Sequence, residues 1–177
     1  MRNGTTFIGV ATGAIMAAAV MAVVVTTVPE GFAQSADRKT VTTQYGGWKV
    51  TCDEAGNSAV CSAAFRVFNR ETNATILTWM VGRGSDGQLL TEFFVPTEIL
   101  IQPGVSMVLE DGPAYTADFV ACGRQACKAV LPLDAALASE LASATKATLS
   151  LTASNGKVTN FSMGIEGIAA AMAELEN

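Results

Sequence analysis

"DFVACGRQACKAVL", residues 118–131, sets two largely apolar arms around Gly123–Ala126, with Cys122 and Cys127 at their inner ends. The run reads as strand, turn, strand. Its cysteines could be a redox pair, half of a metal site or a staple. A thioredoxin-like CxxC lowers a thiol pKa at a helix start within a βα unit, and a four-cysteine zinc site normally uses two CxxC knuckles. Four residues lie between Cys122 and Cys127, and eight between Cys52 and Cys61, so neither pattern is met.

The N-terminus decides which chemistry the compartment allows. After Arg2 the chain is apolar from Phe7 to Val28 apart from small polar residues, then reaches "VPEGFAQS". Gly31 and Ala33 are the small residues that signal peptidase needs before a cut after Ala33. The apolar stretch is also about long enough to span a bilayer, so an uncleaved anchor is the rival reading; either way the rest of the chain is exported. Residues 1–33 are read as the signal, 34–43 as a flexible polar tail and 44–177 as one domain, large enough for a real core.

In an exported domain, four cysteines favour two disulfides. Loop-closure entropy favours a long cross-link such as Cys52 to Cys127, at about 4 to 5 kcal/mol against about 2 to 3 kcal/mol for each short loop. Geometry favours Cys52 to Cys61 and Cys122 to Cys127, because cysteines flanking a tight turn already lie near bonding distance. The local pairing is the expectation.

Working outward, "WKVTC" (48–52), "AVCSAAFRVF" (59–68), "ATILTWMVG" (74–82), "QLLTEFFV" (88–95), "GVSMVLED" (104–111) and "AYTADFVAC" (114–122) carry β-branched and aromatic residues in period-two passages. They read as strands separated by turn signals, an arrangement that indicates an antiparallel sandwich or barrel. "KATLSLTAS" (146–154) and "KVTNFSMGI" (157–165) flank Asn155-Gly156 as a hairpin suited to a type I′ turn. Two short helices are expected near the C-terminus. One is 133–144, with Leu133, Leu137 and Leu141 a turn apart and Asp134 at its start; the other is 167–177, with Ile168, Met172 and Leu175 on one face.

Histidine is absent and the net charge is −5; Arg2 and Glu30 cancel, so signal removal leaves that charge unchanged. The first fact removes Ser-His-Asp and Cys-His catalysis, His-containing zinc sites and His switches. The second argues against nucleic-acid and anionic-lipid partners, which need a dense basic face. "GRGSDG" (82–87) matches a phosphate-binding pattern, but a strand follows it where a helix is required, so it reads as a hairpin loop. Asp53, Glu54, Glu92, Glu98, Glu110 and Asp111 could in principle supply a carboxylate pair, and solvated surface charge explains each of them equally well.

Trp48, Trp79, Phe65, Phe68, Phe93, Phe94, Phe119 and Phe161 read as sandwich core. The adjacent Phe93 and Phe94 must point to opposite faces of their strand. The sequons at Asn73 and Asn160 matter only where the export pathway modifies them.

"YGGWKVTC" followed by Cys61, "VPTEILIQPGVSMVLEDG", "ADFVACGRQACKAVLPLD" and "FSMGIEGIAAAMAEL" together resemble the invasion-associated locus B family of exported alphaproteobacterial proteins, from about Tyr45 to Leu175. Trp48, Cys52, Pro96, Gly104, Cys122, Cys127 and Gly167 occupy its landmarks. The chain departs from the pattern in the expanded passage "VPTEILIQPGV" and in Gly167-Ile168, where "GF" is usual. The resemblance implies an immunoglobulin-like β-sandwich in the periplasm or at the cell surface, linked in some pathogens to host-cell invasion. It brings no catalytic residues, metal or cofactor.

The expected function is therefore a non-enzymatic binding or adhesion module meeting a protein in the envelope or on a host surface. No nucleic-acid partner is expected, and no membrane contact after cleavage. The alternatives are a structural or chaperone-like accessory of the envelope and, less favoured, a carboxylate hydrolase.

Overall fold

The computed structural model describes residues 39–55 and 58–176. The expected signal at 1–33 and the first residues of the expected tail lie outside them.

Among the described residues ten strands form: β1 (Lys39–Tyr45), β2 (Trp48–Ala55), β3 (Ser58–Phe68), β4 (Thr75–Arg83), β5 (Leu89–Val95), β6 (Val105–Leu109), β7 (Ala114–Cys122), β8 (Cys127–Pro132), β9 (Lys146–Thr152) and β10 (Val158–Gly164). Helix α1 (Ala135–Ser143) precedes β9, and α2 (Ile168–Glu174) closes the described chain. The strand order is β1-β2-β3-β4-β5-β8-β7-β6-β9-β10, and every pairing is antiparallel. The antiparallel β-sandwich with two short helices expected from the sequence is the fold that forms.

Strand β7 joins the two layers. Ala114–Ala117 pair with β6, Asp118–Cys122 pair with β8, and the register shifts between Phe119 and Ala121. A bulge bends a strand and increases its twist, so one strand can leave one layer and enter the other.

Alternation along the strands builds the core. Leu77, Trp79 and Val81 of β4, Phe93 and Val95 of β5, Val105, Met107 and Leu109 of β6, and Ala147, Leu149 and Leu151 of β9 are buried, while their neighbours along each strand are less so. Rings run through the centre: Phe65 to Trp48 at 5.4 Å, Trp48 to Trp79 at 5.2 Å edge-on, and Trp79 to Phe93 at 5.4 Å. Both indoles are anchored. Trp48 Nε1 donates to the Ile165 carbonyl at 3.2 Å. Trp79 Nε1 donates to the hydroxyl of the buried Thr91, which donates in turn to the Met80 carbonyl at 3.0 Å.

Phe93 is fully buried and Phe94 half-buried on the opposite face. Phe68 corrects the expectation of core: it is 49 % exposed, because a register shift between Val67 and Phe68 interrupts the β3 ladder there.

Two local readings are also corrected. The tail expected over 34–43 ends earlier, since Lys39–Thr43 belong to β1 and pair with β2 from Lys39↔Glu54 to Tyr45↔Trp48. Backbone pairing, rather than apolar alternation, orders this polar strand. The Asn155-Gly156 turn is not type I′, which needs positive φ at both central residues; only Gly156 has it, at 81°. The loop has three residues, with Gly156 N–H donating to the Ala153 carbonyl at 2.8 Å and Ala153 N–H to the Lys157 carbonyl at 2.8 Å.

The β4–β5 loop repeats that arrangement through Gly87, at φ 78°. There Gly87 N–H reaches the Gly84 carbonyl at 2.9 Å, and Gly84 N–H reaches Gln88 at 2.9 Å. In each loop the residue before the glycine caps the turn: Asn155 Oδ1 accepts from Lys157 N–H, and Asp86 Oδ1 from Gln88 N–H, both at 3.0 Å.

Helix α1 starts where Asp134 accepts from the Leu137 N–H at 2.8 Å, and it buries Leu137 and Leu141. Helix α2 is held against the first hairpin by two glycines at positive φ, Gly46 (56°) and Gly167 (95°). A Cβ on Gly46 would lie 2.3 Å from the Glu166 carbonyl oxygen, and one on Gly167 2.4 Å from that of Tyr45.

Candidate functional site

The cysteines singled out from the sequence sit at two hairpins. Cys52 and Cys61 are direct cross-strand partners on β2 and β3, bonded, with Cα atoms 4.0 Å apart. Cys122 and Cys127 stand opposite one another where β7 meets β8, bonded, with Cα atoms 3.9 Å apart. Gly123 N–H donates to the Ala126 carbonyl at 2.8 Å inside the second loop. With both pairs bonded, no free thiol remains among the described residues, and each bond closes a hairpin.

The carboxylates are dispersed over separate elements. Glu92 pairs with Lys128 at 2.9 Å on the face of the β5–β8 ladder. Asp53 accepts from the Thr40 hydroxyl at 2.6 Å, and Glu54 faces Lys39 at 3.6 Å. Glu110 has φ 48°, and its Oε1 accepts from Thr145 N–H at 2.6 Å, Thr145 Oγ1 at 2.9 Å and Lys146 N–H at 2.9 Å. These donors, the backbone ones first, hold its carboxyl below the usual carboxylate range. Glu140 accepts from the Tyr115 hydroxyl at 2.6 Å, an interaction that raises the phenol's pKa; Glu174 raises that of Tyr45 in the same way. Among the described residues, no three His, Cys, Asp or Glu side chains gather as metal ligands.

One side of the sandwich carries a largely apolar groove. The groove, of about 300 Å³, is lined by Ile76 of β4, Pro96, Glu98 and Ile99 of the β5–β6 connection, Leu151 and Ala153 at the end of β9, and Thr159 and Phe161 of β10. The connection is laid along β9 by backbone bonds: Leu100 N–H to the Thr152 carbonyl at 2.8 Å, Ser154 N–H to the Glu98 carbonyl at 3.2 Å, and a bridge between Ile99 and Ala153. Close by in the chain are the exposed Leu100 (41 %) and Ile101 (46 %), while Val158 (57 %) stands on the face of β10 opposite to that of Thr159. Strand β10 is the last in the order, with β9 on one side and, among the described residues, no strand on the other. Among those residues its outer row of N–H and C=O groups has no strand partner, the position at which another strand can add.

The sequence signal for this side was "EILI" (98–101), three consecutive apolar residues in a connection that also departs from the pattern noted above. Such a run in a loop either folds into the core or marks a contact surface.

A family model described as invasion associated locus B protein matches residues 48–176. The chain belongs to the invasion associated locus B family. The crystal structure of invasion associated protein B from Bartonella henselae shares the fold, with a TM-score of 0.66, 21 % identity, and coverage of 77 % of this chain and 96 % of that one. No curated protein matches the chain. The matched region of this invasion associated locus B protein runs from Trp48 through both disulfides to α2, so the staples, the groove and β10 all lie inside the family domain.

Proposed function

We propose that this protein is a non-enzymatic binding module of the bacterial envelope, exported after cleavage near Ala33 and acting in the periplasm or at the cell surface. The observation that carries the reading is the grooved side of the sandwich, where an apolar groove meets an edge strand, β10, that has no outer strand partner among the described residues; Leu100 and Ile101 of the connection and Val158 of the strand are exposed. That combination suits recognition by strand addition: main-chain hydrogen bonds supply affinity, and side chains entering the groove supply selectivity. Family membership supports an invasion-associated role. The groove holds a single acid, Glu98, and other acids are engaged structurally, as with Glu110 on the backbone and Glu92 on Lys128.

The test is photo-crosslinking in the native envelope, with the reactive side chain placed at Val158 or Leu100 and at Lys49 as a control. Crosslinks to protein at the first two positions but not the third are expected; equal yield at all three, or none, overturns the reading. Mass spectrometry of the exported protein locates its N-terminus, expected at Gln34.

A further inference from the structure

The partner of the open edge follows from the edge's own hydrogen-bonding parity. We infer that β10 pairs with β10 of a second copy, giving a twofold dimer through a continuous antiparallel sheet; this rests on the reading of that side as a binding surface.

Ala153 N–H donates to the Lys157 carbonyl, and Ile165 N–H to that of Thr145. With the regular β9–β10 register between those points, residues 157, 159, 161, 163 and 165 turn their backbone groups toward β9. Val158, Asn160, Ser162 and Gly164 therefore turn theirs outward. A twofold axis at Phe161 sets Val158 against Gly164 and Asn160 against Ser162 of the second copy. Every outward residue then meets another outward residue, and the whole strand is used.

Three further observations fit a second copy. First, β10 reads V-T-N-F-S-M-G, with no charge, no proline and no bulge in its register; exposed edges normally carry one of these against self-pairing. Second, Phe161 sits on the axis facing its counterpart, and Thr159 and Phe161 line the groove. The added strand therefore extends the apolar face across the grooved side, a favourable aromatic cross-strand placement. Third, Lys157 and Glu166, both exposed, bracket the strand. The Glu166 carboxylate lies against Gly164, where a Cβ would be 2.6 Å from its Oε2. The ion pairs among the described residues are Lys39–Glu54 and Lys128–Glu92, so neither bracket residue is in one. The antiparallel arrangement brings Lys157 beside Ile165 and Glu166 of the second copy at both ends of the interface, and parallel pairing would not.

The experiment is sedimentation velocity with light scattering on the purified exported protein across a concentration series, and the wild type is expected to dimerise. K157E or E166K alone should weaken the dimer at least about tenfold by setting like charges together, and K157E/E166K should restore it. S162P removes an outward N–H without breaking a β9 bond, so it should give a folded monomer with an unchanged circular dichroism spectrum. A monomeric wild type overturns the inference, as does a dimer that survives S162P or a double variant as weak as the single ones. If the wild type is monomeric while Val158 still crosslinks to another envelope protein, self-pairing fails and the binding reading stands; with no crosslink, both fail.

Discussion

The Glu110 carboxylate clasps the backbone of Thr145, accepting its N–H at 2.6 Å, and so ties the end of β6 to the start of β9 after a helix has intervened. The clasp makes stability depend on pH. Because the folded carboxyl is held below its usual value, its contribution is fully present above the unfolded carboxylate pKa and is lost as pH falls through the folded one. Thermal melts of wild type and Glu110→Ala should differ by a few degrees at neutral pH and converge as pH falls through the folded carboxyl's pKa, below the usual carboxylate range.

The buried relay from Trp79 through Thr91 to the Met80 carbonyl gives a second test. Thr91→Val leaves the buried Trp79 indole N–H without its acceptor, while the Met80 carbonyl keeps its place in the ladder opposite Glu92, and should cost about 1 to 3 kcal/mol in urea unfolding. Thr91→Ser keeps the hydroxyl and should recover most of that loss.

Two glycines at similar φ should behave differently. Nothing lies within 4 Å of a Cβ at Gly156, so Gly156→Ala meets only the left-handed backbone penalty, about 1 to 2 kcal/mol. Gly167→Ala meets that penalty and a contact of 2.4 Å with the Tyr45 carbonyl, and should destabilise by more. Chemical denaturation of both variants ranks them.

Peptide mapping without reductant should yield fragments joined through Cys52–Cys61 and Cys122–Cys127. Removing either bond by paired serine substitution should cost about 2 to 3 kcal/mol, the loop-closure value for rings this small.

At the head of α1, Asp134→Ala should cost about 1 kcal/mol and Asp134→Asn much less, since asparagine still accepts the Leu137 N–H.

The sequence displayed strands wherever one face is buried, because burial imposes alternation: Leu77, Trp79 and Val81 are as plain in the letters as in the core. It hid β1, whose residues K-T-V-T-T-Q-Y are at most half-buried and so leave little apolar pattern to read. The three-residue loop was misread because Asn-Gly suits more than one turn, and the bonds of Ala153 choose between them. The strand order was out of reach. That β5 meets β8 and β6 meets β9 is decided by which faces pack across the layers, not by any local signal. The groove was hidden for the same reason, since its walls come from β4, β9, β10 and a connection. Only the apolar run at Ile99–Ile101 hinted at it.

The bond from Trp48 to the Ile165 carbonyl bears on when this protein can fold. Donor and acceptor lie 117 residues apart in the chain, so the indole has no native acceptor until β2 and the segment after β10 have come together. The interior is complete only once both ends of the domain have met, which makes the docking of Ile165 against the first hairpin the step that locks the core.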